Sequence, residues 1–346
     1  MLAGVNAAIM FLAIVAYAIF AGADFGSGVW DLTAGSDERA GRLRTLIEHA
    51  IGPVWEANHV WLVFVLVYLW TAFPAGFAAI CETLLVPLSL AGLGIVLRGS
   101  GFAFRKFANT FGEARAFGAL FASASVVTPF FLGATVGGIA SGRVPLDGHG
   151  DRWRSWINPT SAVGGALAVC TCAFLAAVFL TAEAHRERDR ELEQSCRLRA
   201  LWSGAVTGVV ALAGIAPLKN DAPMLFDRLT GRALPLIVVS GVAGTAAIAL
   251  LWRHRPLVAR VAAVVAVGAV VTGWGVGQYP WVLVGAARLD DVAAGRATLT
   301  ALVAVFGLAC VTVLPALGYL YWLTQRPGWA GSAHEAAGPP DLSSTR

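Results

Sequence analysis

Long apolar runs separated by short charged or Pro/Gly-rich stretches govern this chain from its first residue to about residue 325. Runs free of Asp, Glu, Lys and Arg lie at 1–23, 57–81, 83–97, 116–142, 155–182, 200–218, 233–252, 261–287 and 297–325, and about 20 such residues cross a bilayer as a helix. Between the second and third runs the break is "FPAGF" rather than charge, so these spans are placed at 54–73 and 77–97, with Glu82 inside the latter. The pattern predicts an all-α polytopic membrane protein of about nine transmembrane helices. The mixed-charge run "EAHRERDRELEQSCRLR" (183–199) reads as a solvated linker helix. It divides the chain into a first four-helix bundle plus a peripheral fifth helix (1–182) and a second four-helix bundle (200–325), followed by a disordered, Pro/Gly/Ser-rich tail (326–346).

Composition supports the same class. Hydrophobic residues make up 57% and charged residues 13%, against roughly 45–50% and 25% in soluble domains. The first run has no basic segment before it and no small-residue cleavage site, so it is expected to stay as a helix. Loops around 39–44, 98–115, 186–199 and 253–260, together with Arg326, carry twice the Lys and Arg of the alternate loops, which predicts an outer N-terminus and a cytoplasmic C-terminus. These topology signals account for the net charge of +4, so no nucleic-acid partner is implied. Five cysteines, Cys81, Cys170, Cys172, Cys196 and Cys310, suggest neither a disulfide framework nor a zinc site. Cys170 and Cys172 point to different faces of one helix and read as small buried hydrophobes.

The polar insertions carry the candidate chemistry. In "GPVWEANHVW" (52–61), Glu56, Asn58 and His59 interrupt an apolar run. Asp24 ends the first span at the same membrane level, so two carboxylates should meet near one face. Ionisable groups in membrane segments are costly and mark ion or proton paths by default. Glu56 and His59, three apart, share a helix face and could pass a proton between them. The competing reading has Glu56 cap the first turn behind Pro53. His59 is the one histidine of six inside an apolar run. Haem in a bundle takes axial His, Met or Cys ligands, and with no second imidazole opposite, His59 reads as a packing or interface residue. Glu82 would lie roughly 7 Å below the outer boundary at about 1.5 Å per residue. Lys219 and Asp221 read as a local surface ion pair, and Trp55, Trp61, Trp70, Trp274 and Trp281 as interfacial aromatics. Glycines in "GADFGSG" (22–28) and "GATVGG" (133–138) fit close helix contacts, and no phosphate-loop motif occurs.

At these residues the chain resembles a known family. "GADFGSGVWDL" closing span one and "GPVWEANHVWL" opening span two are similar to the paired signature of subunit II of cytochrome bd quinol oxidases. The similarity continues through "GIVLRGSGFAFRKF" (94–107), "FGALFASASVVTPFFLGATVGGI" (117–139), "WINPTSAVGGALAVCTCAFLAAVFL" (156–180) and "WGVGQYPWVL" (274–283). The resemblance implies a respiratory complex of the bacterial cytoplasmic membrane that oxidises quinol and reduces oxygen to water. It implies a partner, subunit I, that carries haem b and haem d, while this chain binds no haem or metal. Glu56 falls on the family's cytoplasmic proton route, aided here by Asp24 and His59, and Trp61 on its oxygen access, with Asn58 and Trp55 beside it. The chain departs from the family pattern at Trp55-Glu56-Ala57-Asn58, where many members read Trp-Asp-Gly-Asn, and at Ala103, where many carry an acid. A structural quinone or lipid and small accessory subunits are left open, as are two other readings: a secondary transporter with two similar helical halves and a purely structural scaffold.

Overall fold

The computed structural model describes residues 1–35, 38–51, 55–105, 107–108 and 110–324, without the side chains of residues 51, 55–57, 111, 321 and 324. The tail at 326–346, and the side chains of Trp55 and Glu56, thus lie outside the described residues.

The elements run α1 (Leu2–Leu32), α2 (Glu38–Ile51), α3 (Trp55–Ala72), α4 (Pro74–Thr83), α5 (Leu85–Arg105), α6 (Phe111–Ala140), α7 (Pro159–Arg186), α8 (Arg190–Ala213), α9 (Ile215–Asp221), α10 (Pro223–Thr230), α11 (Leu234–Trp252), α12 (Pro256–Gln278), a hairpin of β1 (Trp281–Leu283) and β2 (Ala287–Arg288), and α13 (Arg296–Thr324). Among the described residues eight helical segments are long and apolar enough to cross a membrane, and the bent pair α3–α4 makes a ninth. Among the described residues the helices thus match the sequence pattern at eight spans, and at nine if the bent pair is counted as one.

Their boundaries follow local chemistry. Thr110 and Glu113 form a reciprocal capping box at the start of α6, which satisfies two otherwise orphaned N–H groups. The side chains of Asn158 and Asp189 accept N–H donors at the starts of α7 and α8. Proline opens α4, α7, α10 and α12, where its missing N–H costs no helical bond.

One boundary differs from the sequence expectation. The helix does not run straight on after Phe73: α4 leaves α3 at 119°, and the next long apolar helix is α5, which starts some eight residues later than the expected span 77–97. Pro74 lacks the N–H that would continue α3 and holds Phe73 out of the helical region, at φ −138° and ψ 61°. Glu82 accordingly sits exposed at the end of α4, against the loop at Gly148, and not within α5. The shift also draws Arg98 and Arg105, expected in a loop, into α5. At the other end of the chain, helix stops at Gln278, before Pro280, and the hairpin replaces the helix expected to 287.

In the packing, α1 lies against α3, α6 and α7, α5 packs on α6, and α7, α8, α11 and α12 pack on one another. The two sets meet where α7 packs on α1 and α6. Helix α7, placed at the periphery by its position as fifth span, is the most enclosed, with Leu175, Ala177 and Val178 packed on Leu251, Ala259 and Ala263. The outlying helix is α13, which packs chiefly on α1 and α3. The reason lies in side-chain size, since α7 is rich in Gly, Ala, Cys and Ser, which let neighbours close in on all sides.

The charged run 183–199 is divided between the end of α7, a turn, and the first turns of α8. Its inner face is covered by α2, whose Leu43, Leu46 and Ile47 pack on Leu180, Ala184, Leu192 and Cys196. Each such burial is worth about 1.5–3 kcal/mol. The exposed pairs Arg39–Glu191 and Arg42–Asp189 on the rim contribute about 0–1 kcal/mol each, so apolar packing holds α2 in place.

Candidate functional site

The glycine-rich end of α1 lies in a notch between α6 and α7. A Cβ on Gly26 would run into the carbonyl oxygen of Cys172, and one on Gly28 into the side chain of Ser125. Without side chains at these two positions α1 approaches both helices at backbone distance. Asp24 is thereby carried into the core, 3% exposed.

There it meets Arg98 of α5, which is 1% exposed. Arg98 Nη2 donates to Asp24 Oδ1 at 2.5 Å and to the Asp24 carbonyl at 3.2 Å, and Nε donates to Ser125 Oγ at 3.0 Å. Its guanidinium lies over the rings of Phe25 and Phe121, 5.0 and 4.8 Å from their centroids. Burying either charge alone would cost several kcal/mol, and only a partner with good geometry offsets this. Arg98 has that partner; Asp24 Oδ2 remains buried with no hydrogen bond among the described residues.

A second ion pair repeats the first seven residues later on both helices. Asp31 of α1 accepts from Arg105 Nη1 of α5 at 2.9 Å and from Arg44 Nε of α2 at 2.7 Å. Arg105 Nε also lies 3.7 Å from Glu48 Oε1. Positions seven apart drift only about 20° around a helix, so Asp24 and Asp31, like Arg98 and Arg105, share a face. Continuing inward by the same step, Tyr17 sits with its hydroxyl buried and without a hydrogen bond among the described residues. Tyr17, Asp24 and Asp31 thus form a polar column along α1, about 21 Å long at about 1.5 Å per residue, which starts beside α2.

Beside this column stands the start of α3. Asn58 Nδ2 donates to the Phe20 carbonyl of α1 at 3.5 Å, and the His59 ring is edge-on to Phe25 and Tyr17, at centroid separations of 5.8 and 6.5 Å. Trp61 is half-buried. Asn58 and His59 therefore pack against α1, His59 on the ring of Phe25, the residue that follows Asp24. Glu56 opens the same helix, three residues before His59, but its side chain and that of Trp55 lie outside the described residues.

The sequence reading did not include Arg98, Arg105, Asp31 or Tyr17 in the site. The spacing of seven between Asp24 and Asp31, and between Arg98 and Arg105, was the available signal. Lys219 and Asp221 do not pair. Asp221 instead binds Arg143 and accepts from Thr160 Oγ1 at 2.6 Å, tying α9 to α7 and to the loop before it.

The comparisons with known proteins decide the family. A sequence model described as "Cytochrome bd terminal oxidase subunit II" matches residues 2–324. The chain belongs to that family. Among curated relatives, "Cytochrome bd ubiquinol oxidase subunit 2" of Bacillus subtilis is 25% identical over 231 residues, a stretch covering 65% of this chain and 65% of the relative, or just under two thirds of its length. Among solved structures, "The structure of bd oxidase from Geobacillus thermodenitrificans" matches with a TM-score of 0.73 and 25% identity, covering 94% of this chain and 98% of that one. The cytochrome bd family implies haems in the complex. A haem iron takes one or two axial side chains such as His, Met or Cys; the one histidine inside an apolar run, His59, has its ring edge-on to Phe25 and Tyr17.

Proposed function

We propose that this chain serves as subunit II of a cytochrome bd-type terminal oxidase, which oxidises quinol and reduces oxygen to water in the bacterial cytoplasmic membrane. Haem b and haem d are carried by a partner subunit I, which this chain supports. The reading rests on the family match over residues 2–324. The end of the molecule bearing α2 faces the cytoplasm, in keeping with the excess of Lys and Arg on that side.

Oxygen reduction consumes protons, and the column Asp31, Asp24, Tyr17 supplies polar groups from the α2 end into the apolar interior. In this reading Glu56 and His59 of α3 relay protons to Asp24, and Trp61 on the same helix belongs to the oxygen route. This chain's part is to admit protons at the Glu48–Arg105–Asp31 level and hold them near Asp24 Oδ2, an acceptor without a hydrogen bond among the described residues.

A second reading is favoured by one observation: Arg98 engages Asp24 through both its side chain and its carbonyl, as a structural staple would. Substituting Asp24→Asn and Glu56→Gln, one at a time, in the assembled complex separates the two. A proton route predicts reduced quinol-driven oxygen uptake with a changed pH profile at full haem content. Unchanged turnover and pH profile at full haem content would contradict the route and leave the staple.

A further inference from the structure

At the hairpin end, three arginines from three different elements gather around the last turn of α12. Arg228 of α10 donates Nη1 to the carbonyls of Tyr279 at 2.9 Å and Gly277 at 3.4 Å. Arg232, in the turn before α11, donates Nη2 to the same Gly277 carbonyl at 3.3 Å. Arg288 of β2 lies over the Trp281 ring, 5.1 Å from its centroid, and Arg232 over the Tyr279 ring at 5.9 Å.

None of the three has a carboxylate within 4.0 Å among the described residues. The acids nearest in sequence are Asp227, Asp290 and Asp291, and Asp291 is taken up by the backbone N–H of Arg288 at 2.9 Å. The negative end of the α12 dipole amounts to about half a charge, against three full positive ones. Burial together with repulsion from Arg232 and Arg288 holds the Arg228 guanidinium below its ordinary range, which reports the same crowding. Capping of α12 explains Arg228. It does not explain Arg288, whose guanidinium makes no hydrogen bond to any described residue.

The surroundings indicate what completes the cluster. Tyr279 and Trp281 are aromatics of the kind that settle at the headgroup level of a bilayer. Two residues after Arg232, α11 begins, and its Leu234, Val238 and Val242 are 45%, 54% and 65% exposed, one above the next at a spacing of four. Guanidinium groups match phosphate oxygens in pairs. We propose that Arg228, Arg232 and Arg288 bind the phosphate headgroup of an anionic membrane lipid, with an acyl chain laid along the Leu234, Val238 and Val242 lane.

The test uses the assembled complex, stripped of lipid by prolonged detergent washing and returned to nanodiscs of phosphatidylglycerol or of phosphatidylcholine, or given inorganic phosphate in detergent. Thermal unfolding of this chain is followed in each. Phosphatidylglycerol should raise the midpoint above that in phosphatidylcholine, and R232Q/R288Q should lose most of that increment, measured against its own midpoint in phosphatidylcholine because Arg232 also donates to the Gly277 carbonyl of α12; Arg228 is left in place because it makes the main cap of α12. R232K/R288K, which keeps the charges, should recover part of it. Equal midpoints in the two lipids, an undiminished increment in R232Q/R288Q, or the full increment from inorganic phosphate alone would overturn the lipid site. Release of the partner subunit from R232Q/R288Q would overturn it as well, by assigning the arginines to a protein interface.

Discussion

Asp24 and Arg98 face each other across α1 and α5 at 2.5 Å, each with its side chain almost wholly withdrawn from solvent. Removing one member of such a pair leaves the other charge buried alone. Arg98→Met and Asp24→Leu should each destabilise the chain by about 3–5 kcal/mol, whereas the double substitution should cost far less than the sum. Unfolding midpoints for the four combinations give the coupling directly, and additive losses would deny the pair its assigned strength.

Backbone contact between α1 and α7 at Gly26 leaves no room for a methyl group. Gly26→Ala should force the helices apart and destabilise by about 1–3 kcal/mol or more. Gly92→Ala, on α5 with nothing near its Cβ position, should be neutral or stabilising by up to about 1 kcal/mol. The contrast between the two in a thermal melt tests the packing and not glycine content as such.

Tyr68 donates to Asn6 Oδ1 at 2.7 Å, while Asn6 Nδ2 reaches the Leu299 carbonyl of α13 at 3.3 Å. Tyr68→Phe strands a buried acceptor at a cost of about 1–3 kcal/mol. Because α13 is the outlying helix, the loosening should appear there first, as faster amide exchange in residues 296–305 than in α7.

In the loop before α7, Asp151 Oδ1 accepts the N–H groups of Trp153 and Arg154 at 2.9 and 2.8 Å, and these bonds hold its carboxyl below the ordinary 3.8. A lowered folded-state value means the stabilisation is complete above 3.8 and fades as pH falls from there through the folded value. Trp153 fluorescence should report local loosening in that acid range in the parent protein. Asp151→Asn should flatten the response, and an identical acid transition in both proteins would assign it elsewhere.

Helical class and the number of apolar spans were legible because apolar run length is a strong signal, whereas the expected meeting of Asp24 with Glu56 falls on a side chain outside the described residues. The ion-pair column was not legible. Arg98 and Arg105 sit where the apolar run 83–97 has just ended, so charge alone placed them outside the membrane. Only the break after Phe73 brings them into a helix, α5, by shifting the start of that helix about two turns along the chain. The central place of α7 was hidden for a different reason, since small residues mark close contact without stating how many neighbours share it. Asp221 shows the general limit: sequence proximity suggested Lys219, while its partners Arg143 and Thr160 come from more than sixty residues away.

The most direct test of the oxidase assignment is purification in mild detergent through a tag on this chain, followed by a reduced-minus-oxidised absorption spectrum and quinol-driven oxygen uptake. A second, haem-bearing polypeptide with haem b and haem d bands and oxygen uptake is the predicted result. A chain that purifies alone, colourless and without oxygen uptake, would contradict the assignment.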